Sequence, residues 1–153
     1  AIADVVSGDV NPSGKLPFSF PKKLTENAAH SFGEISYPGD GVNQYYKEDI
    51  LVGYRWFDTK EIAPQFAFGY GLSYSDFKFS NIKIDKKKYS INDKIKVTLD
   101  VSNTGIREGS EVVQVYIGKH KSRVKRALKE LKGFSKVYLN KGDKKNTSII
   151  IDV

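Results

Sequence analysis

The chain has 153 residues, a formal net charge of +7 and 39% hydrophobic residues, which is typical of a folded globular protein made of one domain or parts of two. It has no cysteine, which excludes disulfides and thiolate metal sites, and no apolar run of about eighteen residues that could span a membrane. The two histidines, His30 and His120, lie far apart in the sequence, so no metal site is predicted.

The first part of the chain alternates turn signals with one short apolar run. It starts without Met or a signal-like stretch, and we expect it to begin within a domain. Residues 1–6 are typical of a helix end, terminated by Gly8 and then by the turn at 11–14. Residues 16–20 (LPFSF) predict a short strand. Residues 22–43 are polar, and we expect them to wrap over a neighbouring surface.

Residues 45–79, called here the aromatic segment, hold eleven of the nineteen aromatic residues. Because Tyr and Trp combine a large apolar ring with a polar group, the segment is either a structural seam or a sugar-stacking surface. Alternation in residues 52–57 (VGYRWF) predicts an extended conformation with both faces partly buried. The structural interpretation is favoured, with Arg55 as a hydrogen-bond or ion-pair anchor. If one residue reaches a substrate, Trp56 is the predicted one.

From residue 76 the pattern changes to short strands separated by turns. Five strands are predicted, at residues 77–84, 94–102, 111–118, 130–139 and 147–153. A change of phase within the first predicts a β-bulge, and Gly133 predicts a bulge or a close backbone approach. These spacings are typical of an antiparallel immunoglobulin-type β-sandwich, which needs about seven strands, so we expect two further strands beyond the C-terminus.

Three pairs of carboxylates are close in sequence, namely Glu48–Asp49, Asp58–Glu61 and Glu108–Glu111. Glu48 and Asp49 point to opposite sides if the chain is extended, and the other two pairs flank turns or strand starts. Solvated charge is therefore predicted for all three pairs, and no catalytic residue is predicted in this chain.

Residues 119–132, called here the basic run, contain seven Lys or Arg and one Glu. A basic stripe is the electrostatic footprint of nucleic-acid binding. No Phe, Tyr or Trp lies within the basic run. A surface that binds single-stranded nucleic acid needs such rings between its cations, because the bases stack on them. A solvated loop and strand edge, where Lys discourages aggregation, is the favoured interpretation, and no nucleic-acid partner is expected.

Four blocks of residues, GDVNPSGKLP (8–17), VGYR (52–55) with FGYGLSY (68–74), EVVQVY (111–116) and KELKGF (129–134), together resemble glycoside hydrolase family three. The sequence GDVNPSGKLP (8–17) with Phe20-Pro21 resembles the closing motif of that family's α/β-sandwich domain. The family's linker into a fibronectin type III-like domain is similar to VGYR (52–55), FGYGLSY (68–74) and Phe77. That last domain is similar to NTG (103–105), Gly109, EVVQVY (111–116) and KELKGF (129–134). The family usually has Gly where Asp49 stands, and Pro where Ala67 and Ala127 stand.

The resemblance implies a mainly β fold, with an incomplete immunoglobulin or fibronectin type III-like antiparallel β-sandwich preceded by the C-terminal tail of an α/β sandwich domain. The implied boundaries are 1–44 for the tail, 45–75 for an interdomain linker and 76–153 for the fibronectin type III-like domain. Within the linker and its ends, the implied interdomain contacts are Tyr54, Arg55, Phe68, Tyr70 and Tyr74.

The resemblance also implies an enzyme of three parts that cleaves terminal β-linked glucose or xylose with retention. Retention requires two carboxylates about 5 Å apart. In the family these lie on the barrel and on the second domain, before residue 8, so the implied role of this chain is structural. Its implied partners are a (β/α)8-type barrel, the rest of the α/β sandwich and a β-glucoside or oligosaccharide substrate, with no cofactor and no membrane.

The sequence does not decide whether the protein forms a homo-oligomer or whether it is cytoplasmic or secreted. A bacterial source is expected. The alternative function is a non-catalytic carbohydrate-binding module, whose exposed aromatic residues hold polysaccharide and whose basic run meets acidic polymers.

Overall fold

The computed structural model describes residues 2–152, and it is mainly β, with two short α-helices and five strands. The helices are α1 (Ile2–Ser7) and α2 (Tyr54–Thr59), and single 3-10 turns lie at Leu24–Glu26 and His30–Phe32. The strands are β1 (Phe77–Ile84), β2 (Lys94–Asn103), β3 (Gly109–Ile117), β4 (Glu130–Leu139) and β5 (Lys144–Asp152). Over the described range, neither helix has the length and apolar character needed to cross a membrane.

The chain divides into two compact units. The first, called here the sandwich unit, contains residues 2–15, 71–116 and 131–152. The second, called here the aromatic unit, contains residues 16–70 and 117–130.

The five predicted strands are confirmed, and they form two sheets. One sheet has the order β1-β2-β5 with antiparallel neighbours, and the other joins β3 to β4. The register of β1 against β2 shifts between Ser80 and Lys83, where Asn81 has φ +54°, so the predicted bulge is confirmed. The first residue of the predicted helix end and the last residue of the predicted fifth strand lie outside the described residues.

The inward faces of the strands form the core of the sandwich unit. The alternation predicted for β2 is present, since Val97, Leu99 and Val101 are all buried. The buried apolar side chains that the other strands contribute to the core are Val113, Val137, Leu139, Ile149 and Ile151. Gly133 on β4 marks a close approach between the sheets, because a Cβ atom there would lie 2.6 Å from Cγ2 of Ile149 on β5.

Asn11 ties the first residues of the chain into the sandwich unit. Its Oδ1 accepts hydrogen bonds from Ser73 Oγ at 3.0 Å and from the Tyr74 backbone N–H at 2.8 Å. Its Nδ2 donates to the Glu108 carbonyl at 2.7 Å. The Tyr74 hydroxyl in turn donates to the Val5 carbonyl in α1 at 2.6 Å. One amide side chain therefore joins three segments that are distant in sequence.

Two local predictions for the aromatic unit were wrong. Residues 16–20 form no strand; Phe20 makes a single antiparallel bridge to Phe66, with its N–H 2.8 Å from the Phe66 carbonyl. Residues 54–59 form α2 instead of an extended segment, following Gly53 at φ +60°. The helix puts the consecutive Trp56 and Phe57 into the interior together, whereas an extended chain would point them to opposite sides.

We expect Gly133→Ala to lower the free energy of unfolding by about 1–3 kcal/mol, because the added methyl group overpacks the space occupied by Ile149. Gly14→Ala is the matched control, since its Cβ would meet nothing within 4 Å. Urea unfolding of both variants measures the difference. Equal stability of the two variants would contradict the close approach of the sheets.

Asp49 has φ +61°, in the left-handed region where a side chain is strained. We expect Asp49→Gly to be more stable than Asp49→Ala by about 1 kcal/mol, because Gly adopts this conformation without a Cβ penalty. Both variants remove the same carboxylate, so its ion pair cancels from the comparison. Thermal unfolding gives the answer, and an Ala variant as stable as the Gly variant would mean that φ is negative here.

Candidate functional site

Trp56 lies in the core of the aromatic unit and is 5% exposed. Its indole N–H donates to the Glu26 carbonyl at 3.0 Å, and its ring centroid lies 5.6 Å from that of Phe32. The other members of this apolar cluster, called here the Trp56 cluster, are Ala28, Leu51, Phe57 and Ala127, with Ile62 packed against them. A ring that stacks on a sugar needs an open face, and this environment leaves almost none.

Four of the five predicted interdomain residues lie together in the aromatic unit. The Tyr54 ring packs on Phe68 with centroids 4.9 Å apart, and the Arg55 guanidinium lies 5.2 Å from the Tyr54 centroid. Tyr70 packs on Phe66 at 5.1 Å. Tyr74 belongs to the sandwich unit instead. These contacts lie within single units, and the interdomain role of the five residues stays a prediction.

Arg55 also approaches the end of the basic run. Its Nε lies 3.6 Å from Glu130 Oε1, within reach of an ion pair but beyond a hydrogen bond. Both side chains are about one-third exposed, at 36% and 34%, so the pair is worth little on its own. Arg55 therefore has a weak ion-pair contact within the aromatic unit, and its role as an interdomain anchor stays a prediction.

The basic run docks onto α2 and its surroundings, whereas the sequence predicted a solvated loop. Ala127 is 8% exposed within the Trp56 cluster, and the Leu128 N–H donates to Thr59 Oγ1 at 3.1 Å. Lys129 pairs with Asp58 at 3.2 Å and Lys125 with Asp49 at 3.3 Å. The acidic residues at 49 and 58 complement the basic run, and that opposite charge is the one signal in the sequence that could have indicated the docking.

The three carboxylate pairs have different surroundings from one another. Asp49 and Asp58 pair with the lysines of the basic run, and Glu111 Oε1 lies 2.9 Å from Lys15 Nζ in the sandwich unit. Glu48 is only 6% exposed, and its Oε2 has no hydrogen-bond partner within residues 2–152. The prediction of solvated charge was wrong for Glu48, because the local fold buries it. Among the same residues no group of three His, Asp or Glu side chains could hold a metal ion.

Two family models match the chain. The model of the glycosyl hydrolase family 3 C-terminal domain matches residues 1–74, and the fibronectin type III-like domain matches residues 111–153. Beta-glucosidase BoGH3A of Bacteroides ovatus is 52% identical over 151 residues, and thermostable beta-glucosidase B of Acetivibrio thermocellus is 48% identical over 152. Each comparison covers 99% of this chain and 20% of the relative, so the chain spans about a fifth of the length of these relatives.

Solved structures agree with this match. The β-glucosidase DesR from Streptomyces venezuelae superimposes with a TM-score of 0.90 at 41% identity, over 99% of this chain and 19% of that one. β-Glucosidase 3B from Thermotoga neapolitana gives a TM-score of 0.86 at 38% identity, over 98% of this chain and 20% of that one. The predicted fold class and family resemblance are confirmed. The chain therefore belongs to glycoside hydrolase family 3, as a C-terminal part that includes the fibronectin type III-like domain.

Proposed function

We propose that this chain is a structural part of a retaining β-glucosidase and carries no catalytic residue of its own. The parent enzyme, meaning the longer polypeptide of which the chain forms part, hydrolyses terminal non-reducing β-D-glucosyl or xylosyl bonds. The relatives support this proposal, since those named above are β-glucosidases that the chain matches along nearly all of its own length.

The Trp56 cluster is the observation that carries the structural role. It joins residues around Ala28, the α2 helix and Ala127 of the basic run within one apolar core. The ring is 5% exposed, which leaves no open face for a sugar, and its indole N–H is bonded to the Glu26 carbonyl. Trp56 therefore acts in this proposal as a packing residue, and a substrate contact by its ring is not supported.

The surroundings of the carboxylates in this chain support the proposal that the catalytic pair lies elsewhere in the parent enzyme. A retaining pair needs two carboxyl groups about 5 Å apart that face the same sugar. Asp49, Asp58 and Glu111 each face a lysine instead. The nucleophile and the acid/base then belong to the proposed barrel and α/β sandwich.

A surface for those proposed domains is available in residues 42–52 of the aromatic unit. Large apolar side chains are exposed here, with Val42 at 89%, Tyr46 at 73% and Val52 at 58%. Exposed apolar side chains mark an interaction site where they form a contiguous patch, and the proposal takes these three as parts of such a patch. In this proposal the preceding domains of the parent enzyme cover them, and residues 45–75 act as the linker between domains.

Because Trp56 is the only tryptophan of the chain, its fluorescence reports directly on the proposed packing role. We expect blue-shifted emission that acrylamide quenches weakly, and no change on addition of cellobiose. Trp56→Ala, with a cost of about 3–5 kcal/mol in the free energy of unfolding, is expected to destabilise far more than the matched exposed change Tyr46→Ala. Emission that shifts with cellobiose, or a Trp56→Ala variant of unchanged stability, would count against the packing role.

The purified chain is expected to show no hydrolysis of 4-nitrophenyl β-D-glucoside above the buffer blank, because it lacks the proposed carboxylate pair. Glu48→Gln serves as the control, since it removes the most deeply buried carboxylate of the three pairs. Turnover that co-elutes with the chain and disappears in the Glu48→Gln variant would overturn the proposal. Retention of the chain on cellulose or xylan, without turnover, would favour the carbohydrate-binding module.

A further inference from the structure

Residues 119–126, called here the exposed loop, are the first part of the basic run and form no helix or strand. Every residue of the loop is exposed, and five of the eight are Lys or Arg. Val124, the one apolar residue among them, is 64% exposed. The loop therefore offers both cationic side chains and backbone to the surroundings of the protein.

Few bonds hold the backbone of the exposed loop. Within residues 2–152, no backbone–backbone hydrogen bond involves it. The Val124 N–H donates to Ser122 Oγ at 3.3 Å, a contact inside the loop itself. The ion pair of Lys125 with Asp49 has side chains that are 50% and 58% exposed, so it contributes little. A segment with so few contacts opens at a small cost in free energy.

The two ends of the exposed loop are fixed next to each other. A Cβ atom on Gly118 would lie 2.6 Å from the Leu128 carbonyl oxygen, so the chain leaves and rejoins the fold at one place, as in an Ω-loop. Ala127 is buried in the Trp56 cluster, and the Leu128 N–H is bonded to Thr59. A break in the loop backbone would therefore leave both ends anchored.

A second exposed basic segment, residues 85–93, differs from the loop in its hydrogen bonds. It contains three consecutive lysines. Asp85 Oδ1 accepts from the Tyr89 hydroxyl at 2.7 Å and from the Lys96 N–H at 2.9 Å. The Tyr89 hydroxyl in turn accepts from the Lys86 N–H at 3.0 Å. Charge and exposure are similar in the two segments, and the hydrogen bonds of the backbone distinguish them.

The part of the chain after the exposed loop has its own contacts with the part before it. Strand β5 pairs with β2 at nine positions, and β4 is joined to β3. Ile149 and Ile151 of β5 are buried in the core of the sandwich unit, and Ala127 is buried in the Trp56 cluster. None of these contacts needs the covalent connection through the loop.

We propose that the exposed loop is a processing site for a protease that cuts after Lys or Arg, and that the cut chain stays assembled as two pieces. The bonds that are hydrolysed follow Lys121 and Arg123, because the bond after Arg126 adjoins the buried Ala127. Water supplies the hydroxyl of the new carboxyl group and a proton to the released amine as the C–N bond breaks. The inference uses contacts within the chain alone and does not depend on the proposed function.

Limited trypsin digestion of the full chain, with mass spectrometry of the fragments, tests the proposal. We expect the first cut after residue 121 or 123, and cleavage in residues 85–93 about tenfold slower, because opening that segment first breaks its hydrogen bonds. The two fragments are expected to co-elute in native gel filtration and to separate in urea. A first cut outside the exposed loop, or fragments that separate without denaturant, would overturn the proposal.

Two double variants assign the cut to its side chains. Lys121→Gln with Arg123→Gln is expected to abolish the fragments that begin at residues 122 and 124 and to slow the loss of intact chain. Lys87→Gln with Lys88→Gln, the matched control in the other basic segment, is expected to leave that loss unchanged. Equal rates of loss in the two double variants would exclude the exposed loop as the processing site.

Tyr89→Phe tests whether hydrogen bonding selects between the two basic segments. It removes the hydroxyl that bonds to Asp85 and Lys86, so cleavage in residues 85–93 is expected to approach the rate in the exposed loop. A ratio of the two cleavage rates that is the same as in the unchanged chain would contradict the proposed basis of the selection.

Discussion

The aromatic unit depends on the burial of one indole ring. Removing an aromatic side chain of 150–250 Å² from water contributes about 4–6 kcal/mol as an upper estimate. Trp56 is 5% exposed and hydrogen-bonded to Glu26, and its neighbours come from parts of the chain as distant as Ala28 and Ala127. Among the described residues, the buried apolar side chains of the aromatic unit all belong to this cluster, so the polar residues around it depend on this packing for their arrangement.

The docking of the basic run also depends more on apolar packing than on charge. Its ion pairs Lys125–Asp49 and Lys129–Asp58 are exposed enough that each contributes about 0–1 kcal/mol. Burial of Ala127 in the cluster and the Leu128–Thr59 hydrogen bond fix the same segment without screening by salt. Apolar packing therefore holds the segment, and the charges select its register. A run that looks like a nucleic-acid footprint in sequence thus has partners for two of its cations within the chain.

The sequence predicted the sandwich unit better than the aromatic unit, for a physical reason. The strands alternate with a period of two, as at Val97, Leu99 and Val101, and a periodic signal is local. The stretch VGYRWF is too short to separate this period from a helical one, and α2 is chosen by the burial of both Trp56 and Phe57. The docking of the basic run and the bonds of Asn11 join residues far apart in sequence, and no local pattern reports such pairs.

Hydrogen exchange tests most directly whether the Trp56 cluster holds the basic run in place. The indole N–H of Trp56 and the backbone N–H of Leu128 are bonded on different segments. If the cluster joins them, both are protected with the same opening free energy, and Trp56→Phe lowers the protection of Leu128. Rapid exchange of the Trp56 indole N–H would contradict this structural role. Protection of the Leu128 amide that is the same in the Trp56→Phe variant as in the unchanged chain would contradict it as well.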